Sequence, residues 1–422
     1  MPTNVQAALA GLNAIRPTLT ELYKDLHQHP ELSFAEHRTA EVVAQRLSEI
    51  GLEVTTGVGH TGVVGVLRNG VGPTVLLRAD FDALPVAEQT GLAYASTATG
   101  TDPDGTTVPV MHACGHDMHV SCLEGALRLL RNAAHLWSGT VLAVFQPAEE
   151  IGTGARAMIE DGLFERFGTP SVCLGQHVMP VPAGTVAAHP GPCFSASDSF
   201  RVTLHGTGGH GSRPEAAVDP VVMAAATVMR LQTVVSREIA GDDMAVVTVG
   251  SLHAGSKENI IPDSAELKLN IRSYDEEVRQ TVLAAVRRII HAESVAAGAP
   301  REPRIEPLGE FPVLVNTPEA TEHTMDAFRD HFGDSRVFDS GRITGSEDVG
   351  LFAEAAGAPN CYWLFGGADP DTYARAAEAG RVAQDIPANH SPFFAPVIEP
   401  TLGTGVSAMV TAALAWLGPP QV

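Results

Sequence analysis

Positive charge is in short supply in this chain: 27 Lys and Arg stand against 49 Asp and Glu, a formal net charge of −22. Nucleic acid and anionic membrane surfaces are excluded as partners on that ground, because both are bound through surplus basic residues. An anionic small molecule is also repelled at long range, so a carboxylate-bearing ligand has to be captured by a local basic cluster. Cysteine is sparse as well. Cys114, Cys122, Cys173, Cys193 and Cys361 are odd in number and scattered, which excludes a disulfide framework and points to a reducing cytoplasm. No apolar run is long enough to span a bilayer; Val406 to Leu417 is too short and reads as a packed helix. The N-terminus carries no basic-then-apolar signal, and Val5 to Leu22 reads as an amphipathic helix. There is no internal repeat and no low-complexity tract. With 422 residues, 44 % hydrophobic and 18 % charged, the composition is that of a soluble globular protein with two domains rather than one core.

What the chain does have is concentrated chemistry. His112-Ala-Cys-Gly-His-Asp-Met-His119 packs a thiol, three imidazoles and a carboxylate between an apolar run and an amphipathic helix. Gln146-Pro-Ala-Glu-Glu150 follows the next apolar run. Thiolate and imidazole select zinc-like ions over magnesium or calcium. Two adjacent glutamates allow a split of labour, one facing the metal and the other acting as proton carrier on water whose pKa the metal has lowered.

The order of elements predicts an α/β domain with a mostly parallel mixed sheet and helices on both faces. Apolar runs Thr74–Arg78, Thr107–Val110, Thr140–Phe145 and Ser171–Leu174 each lead into a polar cluster. In such sheets ligands gather beyond the carboxyl ends of the strands. Asp80, Asp82, Cys114, His116, Glu149, Glu150 and His177 are expected at such ends. From about Ala196 the pattern becomes β-α-β-β-α-β: strands at Ser199–Leu204, Met244–Val249, Ala265–Ile271 and Arg304–Pro307, helices at Asp219–Glu238 and Glu276–Ala297. This predicts an inserted α+β, ferredoxin-like domain over residues 195–308, flanked by the two parts of the larger domain, 1–194 and 309–422.

A lone histidine after a strand is ordinarily a satisfied turn or core residue. Here Cys114 and His116 flank a glycine that lets the chain aim both at one point, and Glu150, His177 and His390 fall at the ends of other elements. Five ligands are too many for one tetrahedral structural zinc and suit two ions with a shared group. His112, His119, His135, His205 and His253 lack such support and read as structural, and the other four cysteines as small buried hydrophobes. Asp80 and Asp82 are expected to face opposite ways; one of them, Asp82 by preference, would hydrogen-bond the far nitrogen of a ligand histidine.

The assembled motifs resemble the dinuclear-metal amidohydrolases that include aminoacylases, hippurate hydrolase and auxin–amino-acid conjugate hydrolases, relatives of the zinc carboxypeptidases. The resemblance runs nearly end to end: Leu26-His-Gln-His-Pro-Glu-Leu32, Leu77-Arg-Ala-Asp-Phe-Asp-Ala-Leu-Pro85, His112 to Asp117, Gln146 to Glu150, Gln176-His-Val178, Gly208-Gly-His-Gly211, Asn259-Ile-Ile-Pro262, Gly345-Ser-Glu-Asp348 and Asn389-His390. It implies two divalent metal ions, zinc on softness grounds with manganese as the alternative, held by Cys114, His116, Glu150, His177 and His390. It implies Glu149 as catalytic acid/base and a small-molecule N-acyl amino acid as substrate. The inserted domain resembles a lid through which such enzymes form homodimers, with His210 polarising the scissile carbonyl, in the partner's site. Asn259 and Arg272 are implied to hold the substrate carboxylate. A dipeptidase or carboxypeptidase-like activity is the alternative of the same class; a non-catalytic conjugate-binding protein is the alternative of another. Gly366 to Ala388 carries no readable motif.

Overall fold

The computed structural model describes residues 4–420, and the chain divides into two compact units. One comprises residues up to Gly191, Val315–Gly341 and the chain from Asp348 onward; the other comprises Pro192–Leu314 and Arg342–Glu347. The second unit therefore extends past 308 and takes back a short later segment that no local pattern marks.

The first unit is built on eight strands: β1 Glu53–Val58, β2 Gly62–Asn69, β3 Thr74–Asp80, β4 Gly139–Gln146, β5 Val172–Pro182, β6 Val186–Ala188, β7 Val337–Asp339 and β8 Asn360–Ala368. Their order across the sheet is β1-β2-β4-β3-β5-β8-β6-β7. The centre, β4-β3-β5-β8, is parallel throughout, while β1, β2 and β4 pair antiparallel. Strands such as Val75-Leu-Leu77 and Val141-Leu-Ala-Val-Phe145 are buried along their whole length, as a sheet covered on both faces requires. Helices Leu12–Gln28, His116–Asn132 and Ile398–Trp416 pack together over one face, and helices Gly154–Glu160 and Gly350–Ala356 pack together over the other. Among the described residues no helix is long and apolar enough to cross a membrane.

Three local expectations are corrected. The run Thr107–Val110 does not feed the main sheet: Thr107–Pro109 pairs only with Thr99–Thr101 in a separate hairpin. Gln176 and His177 do not follow the end of a strand but lie inside β5, which continues to Pro182. The N-terminal helical stretch is broken into Asn4–Ala8, a 3-10 turn Leu9–Gly11 and Leu12–Gln28.

The second unit has a four-stranded sheet ordered Ala245–Ala254, Ser264–Ser273, Ala196–His205, Arg304–Phe311, antiparallel at every pairing. Helices Pro220–Arg237 and Glu276–Ala296 contribute Met223, Leu231, Val282, Val286 and Ile290 to a core with Val202, Leu204, Leu267 and Ile271. Chain order and strand order together are those of a ferredoxin-like α+β domain. Asp219 and Asp275 start the two helices by accepting backbone N–H bonds from Val221 and Glu277, ordinary N-caps.

Candidate metal centre and active site

Five side chains converge in the first unit. Cys114 Sγ lies 3.4 Å from His177 Nε2, His116 Nε2 3.7 Å from Glu150 Oε1, and His390 Nε2 3.4 Å from Glu150 Oε2. They form two triads, Cys114–His116–His177 and Cys114–Glu150–His390, in each of which the donor atoms lie within 4.8 Å of one another. Cys114 belongs to both.

The backbone explains the convergence. Gly115 takes a left-handed conformation (φ +82), and a Cβ there would stand 2.4 Å from Val178 Cγ1. Only glycine allows this turn and this approach, which sets Cys114 just ahead of a helix and His116 at its first position. His390 is also left-handed (φ +69), with its N–H donating to Ala113 O at 2.8 Å. Asn389 Nδ2 donates to Val178 O at 3.2 Å. The late loop is thereby tied to the segments carrying Cys114 and His177.

Ring orientations follow from the neighbours. His177 Nδ1 donates to Val178 O at 2.8 Å, which turns Nε2 toward Cys114. Asp82 Oδ1 stands 3.3 Å from His116 Nδ1. Asp80 does not face away from Asp82 as expected: its Oδ2 lies 3.6 Å from His116 Nε2, so the two carboxylates flank one imidazole. β3 stops at Asp80, and positions two apart share a side of a strand in any case. Asp80 also accepts from His119 Nδ1 at 2.5 Å, while His119 Nε2 accepts the Val178 N–H at 2.8 Å. With both nitrogens engaged, His119 supports the site without being free to bind an ion. Its place three positions after His116 on one helix was the signal that it shares that face. Beneath them Arg78, fully buried, donates to Asp80 Oδ2 and Gln146 Oε1 at 2.6 and 2.8 Å.

The centre calls for positive charge. Burial works against a cation at His116, yet Asp80, Asp82 and Glu150 outweigh it and lift the ring to about 10. Burial raises Glu150 to about 8, opposed by His116 and reinforced by Asp82 and Asp80. Burial, then Glu150 and Glu149, push the Cys114 thiol well above its usual range. With Nδ1 of His116 facing Asp82, its Nε2 and Oε1 of Glu150 are buried without a hydrogen-bond partner, a costly arrangement for polar groups unless something else binds them. Metal cations resolve all of this together. A mixed thiolate, imidazole and carboxylate set fits borderline divalent ions.

Glu149 is buried next to this set, its Oε2 3.9 Å from His116 Nε2, and belongs to neither Cys114 triad. The remaining predicted residues lie in the second unit. His210 is exposed on a two-residue strand, Gly209–His210, paired with Ile260–Ile261. Its Nδ1 accepts from the N–H of Ser212 at 3.1 Å. Asn259 lies beside that loop, its carbonyl accepting the Gly211 N–H at 2.8 Å. Arg272 is apart from both, on Ser264–Ser273, donating to Thr344 O at 2.7 Å and to Asn270 Oδ1 at 3.0 Å.

A converging thiol, imidazole and carboxylate set of this kind, buried at Cys114, His116 and His177 and open to solvent at His390, with a carboxylate held beside it, defines a metal-dependent hydrolase with a two-ion centre. The chain belongs to the peptidase family M20/M25/M40, whose family model matches residues 76–388. It is 40 % identical over 332 residues to the hippurate hydrolase of Campylobacter jejuni, covering 78 % of this chain and 83 % of that one. It is 37 % identical over 357 residues to thermostable carboxypeptidase 2 of Saccharolobus solfataricus, covering 83 % and 86 %. Among solved structures it is similar to the YXEP protein of Bacillus subtilis, described as a dinuclear metal binding peptidase from the M20 family. The TM-score is 0.74 and the identity 28 %, covering 95 % of this chain and 98 % of that one.

Proposed function

We propose that this protein hydrolyses the amide bond of N-acyl amino acids, releasing a carboxylic acid and a free amino acid. The observation that carries the reading is the pair of triads sharing Cys114, with Glu149 buried beside them and outside both. Cys114, His116 and His177 would hold one ion and Cys114, Glu150 and His390 the other, and bound ions would lower the pKa of water and polarise the amide carbonyl. Glu149 takes the proton of the attacking water and delivers it to the leaving nitrogen. Asp82 holds the His116 ring through Nδ1. His210 donates to the carbonyl oxygen as negative charge develops there, and Asn259 and Arg272 hold the substrate carboxylate, which the net charge of −22 would otherwise repel. The similarity to hippurate hydrolase supports the acyl-amino-acid substrate.

The ions are zinc on the softness of the Cys114 donor, with manganese the alternative where supply decides. The enzyme acts as a homodimer through the second unit. In support, helix Pro220–Arg237 exposes Val222 and Met229, and the outermost strand Ala245–Ala254, whose edge is open, exposes Val246 and Leu252. Five buried free thiols support a reducing cytoplasmic location. A second reading, peptidase activity on dipeptides or C-terminal residues, is favoured by the carboxypeptidase relative.

The test is a panel of N-acetyl and N-benzoyl amino acids against dipeptides, with zinc or manganese added, on wild type and Glu149→Gln. Turnover of the acyl amino acids, reduced on the order of 10²–10⁴-fold in Glu149→Gln at unchanged ion content, is expected. Turnover of dipeptides alone would replace the substrate assignment.

A further inference from the structure

The turn that carries Glu149 is not self-supporting. Ala148 sits at φ +48, a left-handed conformation that is strained for an L-residue and persists only where the surroundings over-determine it. Its N–H donates to Glu36 Oε1 at 2.9 Å. The other oxygen of Glu36 accepts from Thr61 Oγ1 at 2.5 Å, and the residue has 0 % exposure. On the far side of Glu149, the Glu150 N–H donates to Asp82 Oδ2 at 3.0 Å, and that oxygen also accepts from Ser33 Oγ at 2.7 Å. The amides before and after Glu149 are therefore both held by buried carboxylates, and the Ala148 carbonyl is fixed by the Gly154 N–H at 3.1 Å.

Glu36 is free to do this because another residue does its local work. It occupies the N-cap position of helix His37–Ile50 but makes no cap bond there. Glu31 takes the helix amides instead, accepting from the N–H groups of Arg38 and Thr39 at 3.0 and 2.7 Å. Among the described residues this buried carboxylate is met by the Ala148 amide, its own backbone amide and the Thr61 hydroxyl, with the Asp82 carboxylate as a like-charged neighbour, an expensive way to fill space.

We propose that Glu36 is a positioning residue for the reaction: through the Ala148 amide it holds the strained turn that points Glu149 at the substrate. The inference rests on Glu149 being the proton carrier. What matters is reach and not charge, since both donors are neutral. Glutamine reproduces the contacts, its carbonyl accepting the Ala148 N–H and its amide donating to the Thr61 oxygen. Aspartate keeps the charge but is one methylene too short to span both.

The experiment compares Glu36→Gln and Glu36→Asp in the metal-loaded enzyme, measuring kcat, KM and ion content on an N-acyl amino acid that the wild type turns over. Glu36→Gln should keep kcat within about threefold, while Glu36→Asp loses on the order of 10–10²-fold, as ångström-scale misplacement of a reacting group does, with KM within about twofold and both ions retained. Wild-type turnover in Glu36→Asp overturns the proposal. So does a loss in Glu36→Gln that equals or exceeds the loss in Glu36→Asp, which makes charge the operative property. Ion loss in Glu36→Asp that parallels its loss of kcat also overturns it, since the role is then support of the ligands. Glu149→Gln assayed alongside separates the two levels. If it is as active as wild type, the proton-carrier reading falls and takes this one with it; if it is inactive while the Glu36 pattern is absent, only the Glu36 inference falls.

Discussion

Gly115→Ala is the smallest change that should dismantle the metal centre. Two costs add. A non-glycine residue at φ +82 carries about 1–2 kcal/mol of backbone strain. The new methyl also stands 2.4 Å from Val178 Cγ1, and overpacking a filled interior costs about 1–3 kcal/mol more. The sum is about 2–5 kcal/mol, which at about 2–4 °C per kcal/mol in a body this large lowers Tm on the order of 10 °C. The damage is also aimed. Val178 follows His177, its N–H holds His119 and its carbonyl holds the His177 ring, so displacing it moves one donor while the turn itself moves Cys114 and His116. Gly91→Ala is the control, because Gly91 has the same backbone sign (φ +73) with nothing within 4 Å of the added carbon. Calorimetry of the chelated proteins gives the packing cost, and elemental analysis of the reloaded proteins gives ion occupancy. Gly115→Ala should lose both stability and ions, Gly91→Ala only about 1–2 kcal/mol. Matching values in the two variants would refute the reasoning.

Three further outcomes follow from the site. Cys114 should alkylate much faster in chelator-treated than in ion-loaded protein, because a bound thiolate is shielded; equal rates in peptide mapping would remove it from the ligand set. His210→Ala and Glu149→Gln dimers should each be nearly inactive, but random mixing should restore roughly a quarter of wild-type activity, since half the dimers then carry one complete site; activity no higher than the parents, with exchange verified, would exclude His210 acting across the dimer. His27, 2.6 Å from Asp117 and 3.0 Å from Glu88, is opposed by burial but lifted by these carboxylates from 6.5 to about 10. A raised folded-state pKa contributes stability that is complete below about pH 6.5 and lost as pH climbs through about 10; denaturant titrations should show that decline in wild type and a flatter one in His27→Asn.

Four of the five donors were legible because each sits in a short polar break after an apolar run and because Cys114, Gly115 and His116 are contiguous; His390, in a loop with no such run before it, was marked by the Asn389-His390 pair of the family resemblance. Less legible was everything fixed by distant pairing. β1 and β2 escaped notice because β1 alternates poorly, with most of its residues exposed or half-exposed, and β2 is interrupted by Gly65. The polar pair Gln176-His177 imitated a strand end, but both side chains are buried in β5, where the amide of Gln176 finds Trp363 Nε1 and Gly405 O. Glu36 gave no signal at all: a glutamate before a helix reads as a cap, and only the position of Ala148, 112 residues on, shows otherwise. The return of Arg342–Glu347 to the second unit is likewise invisible to any local window.

The order of β6 and β7 has a consequence for how the chain is assembled. These neighbouring parallel strands end at Ala188 and begin at Val337, so two of the eight strands of the large sheet, β7 and β8, and with them His390, wait on a chain segment that holds all of the second unit but Arg342–Glu347. Within that segment Ser197 pairs with Phe311, so folding of the second unit brings its own two ends together. That shortens the open connection roughly fourfold, two doublings, and lowers the entropic cost of closing the large sheet by about 1.2 kcal/mol. Until then the edge of β5, apolar and carrying His177, has no partner on one side. A nascent chain that has emerged only as far as the second unit therefore presents a sticky strand and half a metal centre. Early folding of the inserted unit shortens the time it spends in that state.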